Sequence, residues 1–366
     1  MPIASMIVRS GFAAAVIASA VAVSSNGTAE GPAISTAAVL GDHYPQALVA
    51  FPGGVTGLPG VTYATLSGFR PLTLDLYLPP ETKMNPSGYP LVLFIHGGGW
   101  MTGHSRQSGA FVDWPAVLAS LAARGYVVAS LNYRLSGEAP FPAAEQDVKA
   151  AIRWLRAHAE KYGIDKNKAL VWGGSAGGHL AALTGVSCGV KALEPSPAEL
   201  QDLEYDVAVP APASSRTAES EQSDCVQGVV TWYGVFDFST LASQRPANAP
   251  SRRANSSNPL SAFLGCDPAK CSAVTLNLAS PAKLVKPTAP PMLILFGSVD
   301  KTVPPEQSKS FYRLLQKAHV KSTLVEIPGV GHSWVGPTQQ ATRDASIEAL
   351  GKTFSFIDET FGKKTK

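Results

Sequence analysis

Val171-Trp172-Gly173-Gly174-Ser175-Ala176-Gly177-Gly178-His179 decides how the rest of the chain is read. It holds the pattern G-x-S-x-G. The apolar run Ala169–Trp172 before it reads as a strand, and the small-residue run Ala176–Thr184 after it reads as a helix. A serine at the apex of a sharp strand-to-helix turn needs small residues two before and two after it, so that the backbone passes without clashing. Its hydroxyl then stands above the sheet, with a helix N-terminus behind it that favours developing negative charge. The pattern alone is modest, since roughly 0.3 chance matches are expected in a chain this rich in Gly and Ser. The strand and helix on either side are the context that the motif requires.

Upstream, His96-Gly97-Gly98-Gly99-Trp100 follows the fully apolar run Leu91–Ile95, a strand buried on both faces. Glycines placed there free backbone N–H groups to face a ligand. With the amide of Ala176, those of Gly98 and Gly99 are the candidate oxyanion donors. His96 is read as shaping the loop by hydrogen bonding. Trp100 fits either the wall of a pocket or ordinary core packing.

Downstream, three histidines follow Ser175: His179, His319 and His332. His179 lies one helical turn past Ser175, and His319 falls at the end of a predicted helix, where the dipole welcomes a cation. His332 sits in Pro328-Gly329-Val330-Gly331-His332, a Gly-rich loop after the last predicted strand, where a general base belongs. Asp300, four residues past the strand Met292–Phe296, is the candidate acid that would orient it. Asp237 competes for that role, with loop capping as its plainer reading. Asp147 reads as structural.

Around these residues, strands are expected at Val61–Thr65, Leu72–Leu78, Leu91–Ile95, Tyr126–Leu131, Ala169–Trp172, Val226–Tyr233, Met292–Phe296 and Thr323–Ile327. Helices are expected at Val112–Arg124, Ala143–Tyr162, Ala176–Thr184, Pro305–His319 and Gln339–Phe361. The alternation argues for an α/β fold with a mainly parallel sheet and helices on both faces. Residues 61–366 form the expected catalytic domain, with insertions near 189–224 and 239–282 that could wall the site or be surface loops.

The ends and the composition add context. Residues 1–22 read as a secretion signal, because thirteen small apolar residues from Gly11 to Val23 are too few to span a bilayer. Cleavage after Ala22 or after Ala29 fits, and residues 23–60 read as an extended leader. The expected location is extracellular, or periplasmic in a bacterium. Cys188, Cys225, Cys266 and Cys271 then read as two disulfides, the last two bridging locally and the first two closing the stretch between them. Metal binding by these cysteines is the weaker alternative, since there is no CxxC. Asn255-Ser256-Ser257 is a glycosylation acceptor in a eukaryotic host. Of 366 residues, 45% are hydrophobic, which excludes a disordered chain. A formal net charge of +3 with no basic face argues against a nucleic-acid partner. No later stretch is apolar enough for stable membrane insertion.

Taken together, these residues resemble the α/β-hydrolase superfamily in its hormone-sensitive-lipase-like branch, and most closely the bifunctional feruloyl and acetyl-xylan esterase-like family. The likeness runs from about residue 61 to the end. It rests on HGGGW, Asn132-Tyr133-Arg134-Leu135 with Phe141-Pro142-Ala143-Ala144 and Asp147, GGSAGGHLAA, Trp232-Tyr233-Gly234, Asp300 with Val303-Pro304, and Gly331-His332. Where relatives commonly carry HGD before the acid, this chain has Phe296-Gly297-Ser298. The resemblance implies an α/β-hydrolase fold, a Ser175–Asp300–His332 triad, and hydrolysis of a small-molecule or polysaccharide-linked ester through an acyl-enzyme. It implies neither a cofactor nor a metal. An arylformamidase-like amide hydrolase and a non-catalytic binding protein on the same fold are the alternatives. A propeller-bearing peptidase is disfavoured by the short N-terminal region.

Overall fold

Apolar runs spaced by amphipathic segments assemble into one mixed sheet. The computed structural model describes residues 46–66, 69–81, 87–195, 219, 221–245 and 258–363, all within a compact unit spanning His43–Lys366. Its strands are β1 (Val49–Phe51), β2 (Val55–Ala64), β3 (Leu72–Leu78), β4 (Tyr89–Ile95), β5 (Val127–Leu131), β6 (Ile164–Gly174), β7 (Gly228–Trp232), β8 (Met292–Gly297) and β9 (Ser322–Ile327). Their spatial order is β1-β2-β3-β5-β4-β6-β7-β8-β9. The pairs from β1 to β5 by way of β2 and β3 are antiparallel; the pairs from β5 through β9 are parallel. This is the α/β-hydrolase fold.

Side chains along a strand alternate between faces, and this divides the core in two. On β4, Leu91, Leu93 and Ile95 join one cluster, while Val92 and Phe94 join the other. The first is covered by α2 (Ala143–Ala157), α4 (Ala176–Val186) and α8 (Pro305–Lys317); α3 (Ala159–Tyr162) is a short continuation beyond α2. The second is covered by α1 (Trp114–Ala122) and α9 (Gln339–Thr360). It contains four fully buried tryptophans, Trp114, Trp172, Trp232 and Trp334. Trp172 and Trp232 meet edge to face at 4.9 Å, and Trp232 and Trp334 at 5.6 Å.

The sheet begins earlier than the sequence suggests. Residues 49–60, expected within the extended leader, pair instead as β1 and the first half of β2. Pro59-Gly60 lies at the register shift between Leu58 and Val61, an irregularity inside the strand. The expected signal at 1–22 and Asn255 lie outside the described residues.

The insertion at 239–282 carries α5 (Phe238–Gln244), α6 (Pro259–Leu264) and α7 (Ala273–Ala279). Cys266 is bonded to Cys271, and Cys188 to Cys225, the pairing expected from the spacing. Next to Cys225, Asp224 is buried against α2, accepting from Lys149 Nζ at 3.3 Å and Arg153 Nη2 at 2.6 Å. Buried charges survive only when paired in this way.

Candidate active site

The glycine loop, Ser175, Asp300 and His332 come from loops at the C-terminal ends of the parallel strands, where open α/β sheets place their ligands. Ser175 follows β6 at φ 57° and ψ −118°, a left-handed backbone for a residue with a side chain. Its amide donates to the carbonyl of Trp232 at 2.9 Å. The tight turn explains its glycines: a Cβ on Gly177 would run into the carbonyl oxygen of Ile95. Six described residues other than glycine have positive φ, and five of them lie in these loops: Trp100, Ser175, Tyr233, Ser333 and Trp334. Strained backbone gathers at functional sites.

Beyond β8, Asp300 is buried, and its Oδ1 accepts from the amides of Thr302 at 2.8 Å and Val303 at 3.0 Å. Its Oδ2 lies 2.7 Å from Nδ1 of His332, whose Nε2 lies 2.8 Å from Oγ of Ser175. An ionised carboxylate only accepts, so the proton sits on Nδ1 and leaves Nε2 free to accept from the serine hydroxyl. The structure thus brings Ser175, His332 and Asp300 into one hydrogen-bonded line. Ser298 follows β8 at the start of the Asp300 loop. Its hydroxyl accepts from the amide of Gly329 at 2.8 Å, tying the Asp300 loop to the His332 loop.

The glycine loop after β4 turns back on itself. The amides of Met101 and Thr102 both donate to the Gly98 carbonyl at 3.2 Å, and Gly98 has φ 109°. Among the described residues, the amides of Gly98 and Gly99 donate to no protein acceptor, which leaves them available to a ligand. His96 holds this loop, its Nδ1–H donating to the Gly97 carbonyl at 2.7 Å and its ring stacking on Tyr133 at 4.3 Å. Burial lowers its pKa to about 4, so the ring is neutral.

Trp100 resolves to core packing. It is 3% exposed, stacks on Phe263 at 4.5 Å, and donates its indole N–H to Nδ1 of His179 at 3.2 Å. Nε2–H of His179 donates in turn to the carbonyl of Ala279, so this histidine is a neutral spacer, lowered to about 4 by burial. His319 is exposed just past α8. Asp237 caps α5 by accepting from the Ser239 amide and pairs with Lys283 at 3.0 Å. Asp147 is buried under Arg134 at 2.6 Å.

Above the serine is a cavity of about 470 Å³, lined by Gly97, Gly98, Gly99, Ser175, Tyr233 and His332 among others. Its remaining wall is mostly small and polar, with Thr102, Gln107, Ser108, Thr302 and Ser333. Sequence reasoning missed these residues, because single polar side chains in loops carry no periodic signal. Tyr233 had been noted in a motif without a role. No described residue of the 239–282 insertion lines the cavity. The insertion stands behind the glycine loop, where a Cβ on Gly99 would meet Pro259 at 3.5 Å.

The chain has relatives of matching pattern. The BD-FAE family model matches residues 74–315. Esterase LipC of Mycobacterium tuberculosis is 31% identical over 277 residues, covering 73% of this chain and 60% of that protein. The chain spans 55–60% of the length of three curated Mycobacterium tuberculosis relatives that it matches. Among solved structures, a truncated carbohydrate esterase from gut microbiota superposes with a TM-score of 0.64 at 29% identity, over 86% of this chain and 99% of that one. The butyrate-bound esterase 2 of Thermogutta terrifontis does so with a TM-score of 0.61 at 25% identity, over 86% and 97%. The match covers the β3-to-α8 span, which holds both glycine motifs and Asp300, and so the chain belongs to the BD-FAE family.

Proposed function

We propose that this protein is a secreted serine carboxylesterase acting on short-chain esters of a polar alcohol, with acetylated plant polysaccharide as the substrate class. The observation that carries the reading is the line Ser175–His332–Asp300, with both hydrogen bonds at 2.7–2.8 Å, under an open polar cavity.

In this reading His332 takes the proton from Ser175 Oγ as it attacks the ester carbonyl. Asp300 holds the imidazole in the needed tautomer and stabilises the imidazolium. The developing oxyanion accepts from the amides of Gly98, Gly99 and Ala176. The alcohol departs with the proton from His332, and water admitted by the same base hydrolyses the acyl-serine. The chemistry needs no cofactor. Relatives named as esterases, one of them with bound butyrate, support the reaction class. Between acetyl and feruloyl groups, the small polar wall favours acetyl. Secretion is supported by the apolar leader and by the two cysteine pairs, which suit an oxidising compartment.

The test is an ester panel from acetyl to long acyl, including methyl ferulate and acetylated xylan, run on wild type and Ser175→Ala. Activity highest on acetyl esters and absent from the variant is expected. Hydrolysis surviving in Ser175→Ala overturns the assignment, and preference for formylkynurenine would favour the amide-hydrolase alternative.

A further inference from the structure

We infer that Tyr233 is a positioning residue for the general base, a role resting on the esterase reading above. Its ring fixes the His332 imidazole between Ser175 and Asp300, and Gly174 lacks a side chain because this ring occupies the space.

Tyr233 is the first residue past β7 and is held there from both sides. Its amide donates to the Leu295 carbonyl at 2.7 Å, while the carbonyl just before it, of Trp232, accepts from the Ser175 amide. The backbone sits at φ 39°, a left-handed value that a bulky residue adopts only when its surroundings impose it. The next residue must be small, since a Cβ on Gly234 would meet Gly178 at 2.9 Å. That geometry turns the ring away from the sheet and into the site.

There the ring is 2% exposed and touches three parts of the machinery. It lies 4.7 Å from the His332 ring, tilted by 57°, and 4.7 Å from Trp334, edge on. It closes the elbow: a Cβ on Gly174 would stand 3.2 Å from both its Cε2 and its hydroxyl. An imidazole held by two hydrogen bonds in one plane can still rock about the line joining them. A packed aromatic ring on one side, backed by Trp334, opposes that motion. The ring thereby couples the carbonyl that holds the nucleophile to the residue that activates it. Filling a core position would require none of these three contacts with the site.

The experiment compares wild type, Tyr233→Phe, Tyr233→Leu and the longer Tyr233→Met, using p-nitrophenyl acetate turnover per site titrated with a fluorophosphonate. The rate of phosphonylation is followed alongside the downfield N–H resonance of the His332–Asp300 hydrogen bond. Tyr233→Phe is expected within about threefold of wild type in every readout. Leu and Met are expected to lower kcat per titrated site by about tenfold or more, with KM little changed, to slow phosphonylation in parallel, and to broaden the resonance. Unchanged kcat per site in either folded variant overturns the proposal, however far its melting temperature falls. If neither folds, Gly174→Ala in the wild-type background decides. Its methyl group displaces the ring, so slower phosphonylation supports the proposal and an unchanged rate overturns it. A wild type that neither labels nor hydrolyses overturns the esterase reading itself, and this role with it.

Discussion

Trp100 donates its indole N–H to Nδ1 of His179 across 3.2 Å, and His179 passes a second hydrogen bond to the Ala279 carbonyl at 2.8 Å. One buried imidazole therefore joins the glycine loop, the helix that begins behind Ser175, and the last helix of the 239–282 insertion. Trp100→Phe keeps the packing and removes the donor, leaving a buried acceptor unsatisfied. The expected cost is about 1–3 kcal/mol in urea unfolding, with a fall in kcat/KM as the loop loosens. Unchanged stability would show that the link contributes nothing.

The same burial makes stability depend on acidity. His96 and His179 titrate near 4 in the folded protein, below the ordinary histidine value of 6.5. Between those limits the unfolded chain binds protons that the folded chain refuses, so stability is present above pH 6.5 and lost as pH falls toward 4. The two sites together give a slope of up to about 2.7 kcal/mol per pH unit. Chemical denaturation between pH 7 and 4.5 measures it, and a flat profile contradicts it.

Glu145 acts on the alkaline side. Burial raises its carboxyl to about 8, against the opposing pull of Lys149 and the hydrogen bond from Thr184. A raised folded pKa means stability that is full below the ordinary value of 4.5 and declines as pH rises through 8. Glu145→Gln should flatten this decline. Melting temperatures at pH 6 and 9 for both proteins are the check, and equal losses in the two would refute it.

Asp300→Asn should leave the fold standing, because the amide oxygen can still accept from Thr302 and Val303. The amide nitrogen facing His332 would donate where the carboxylate accepts, favouring the wrong tautomer. A fall in kcat of about 10³–10⁴ with KM nearly unchanged is expected. Steady-state kinetics on p-nitrophenyl acetate decide it.

The two disulfides should differ in weight. Cys188 and Cys225 are 37 residues apart, and Cys266 and Cys271 only 5. On the chain-entropy model, opening the first costs about 4 kcal/mol and the second about 2. Guanidinium unfolding of Cys188→Ser and Cys266→Ser compares them. The reverse order would mean that the short bridge holds something besides its own loop.

What could be read from sequence was what the backbone period enforces. The parallel strands Leu91–Ile95 and Met292–Phe296 are apolar throughout because both faces are covered, and they emerge within two residues of expectation. Ser175, Asp300 and His332 were legible as candidates because each stands in a loop just past a parallel strand. In the antiparallel edge, Leu72–Leu78 and the second half of β2 were also legible, but β1 and the first half of β2 were not, because β1 has three residues and β2 is interrupted by Pro59-Gly60, so neither shows a clean alternation. The helix expected over Ala143–Tyr162 breaks at His158, whose φ of −97° and ψ of 21° leave the helical region. The cavity wall was invisible for another reason. Gln107, Ser108 and Thr302 are brought together only by tertiary folding.

The four tryptophans gathered on one face of the sheet give the molecule a built-in optical asymmetry. Indole fluorescence and near-ultraviolet dichroism will be dominated by that layer, which reaches from Trp172 on β6 to Trp334, two residues past His332. The opposite layer contributes mainly Trp100 and Trp154. A ligand settling against Tyr233, which touches both Trp232 and Trp334, should therefore announce itself in emission without any label.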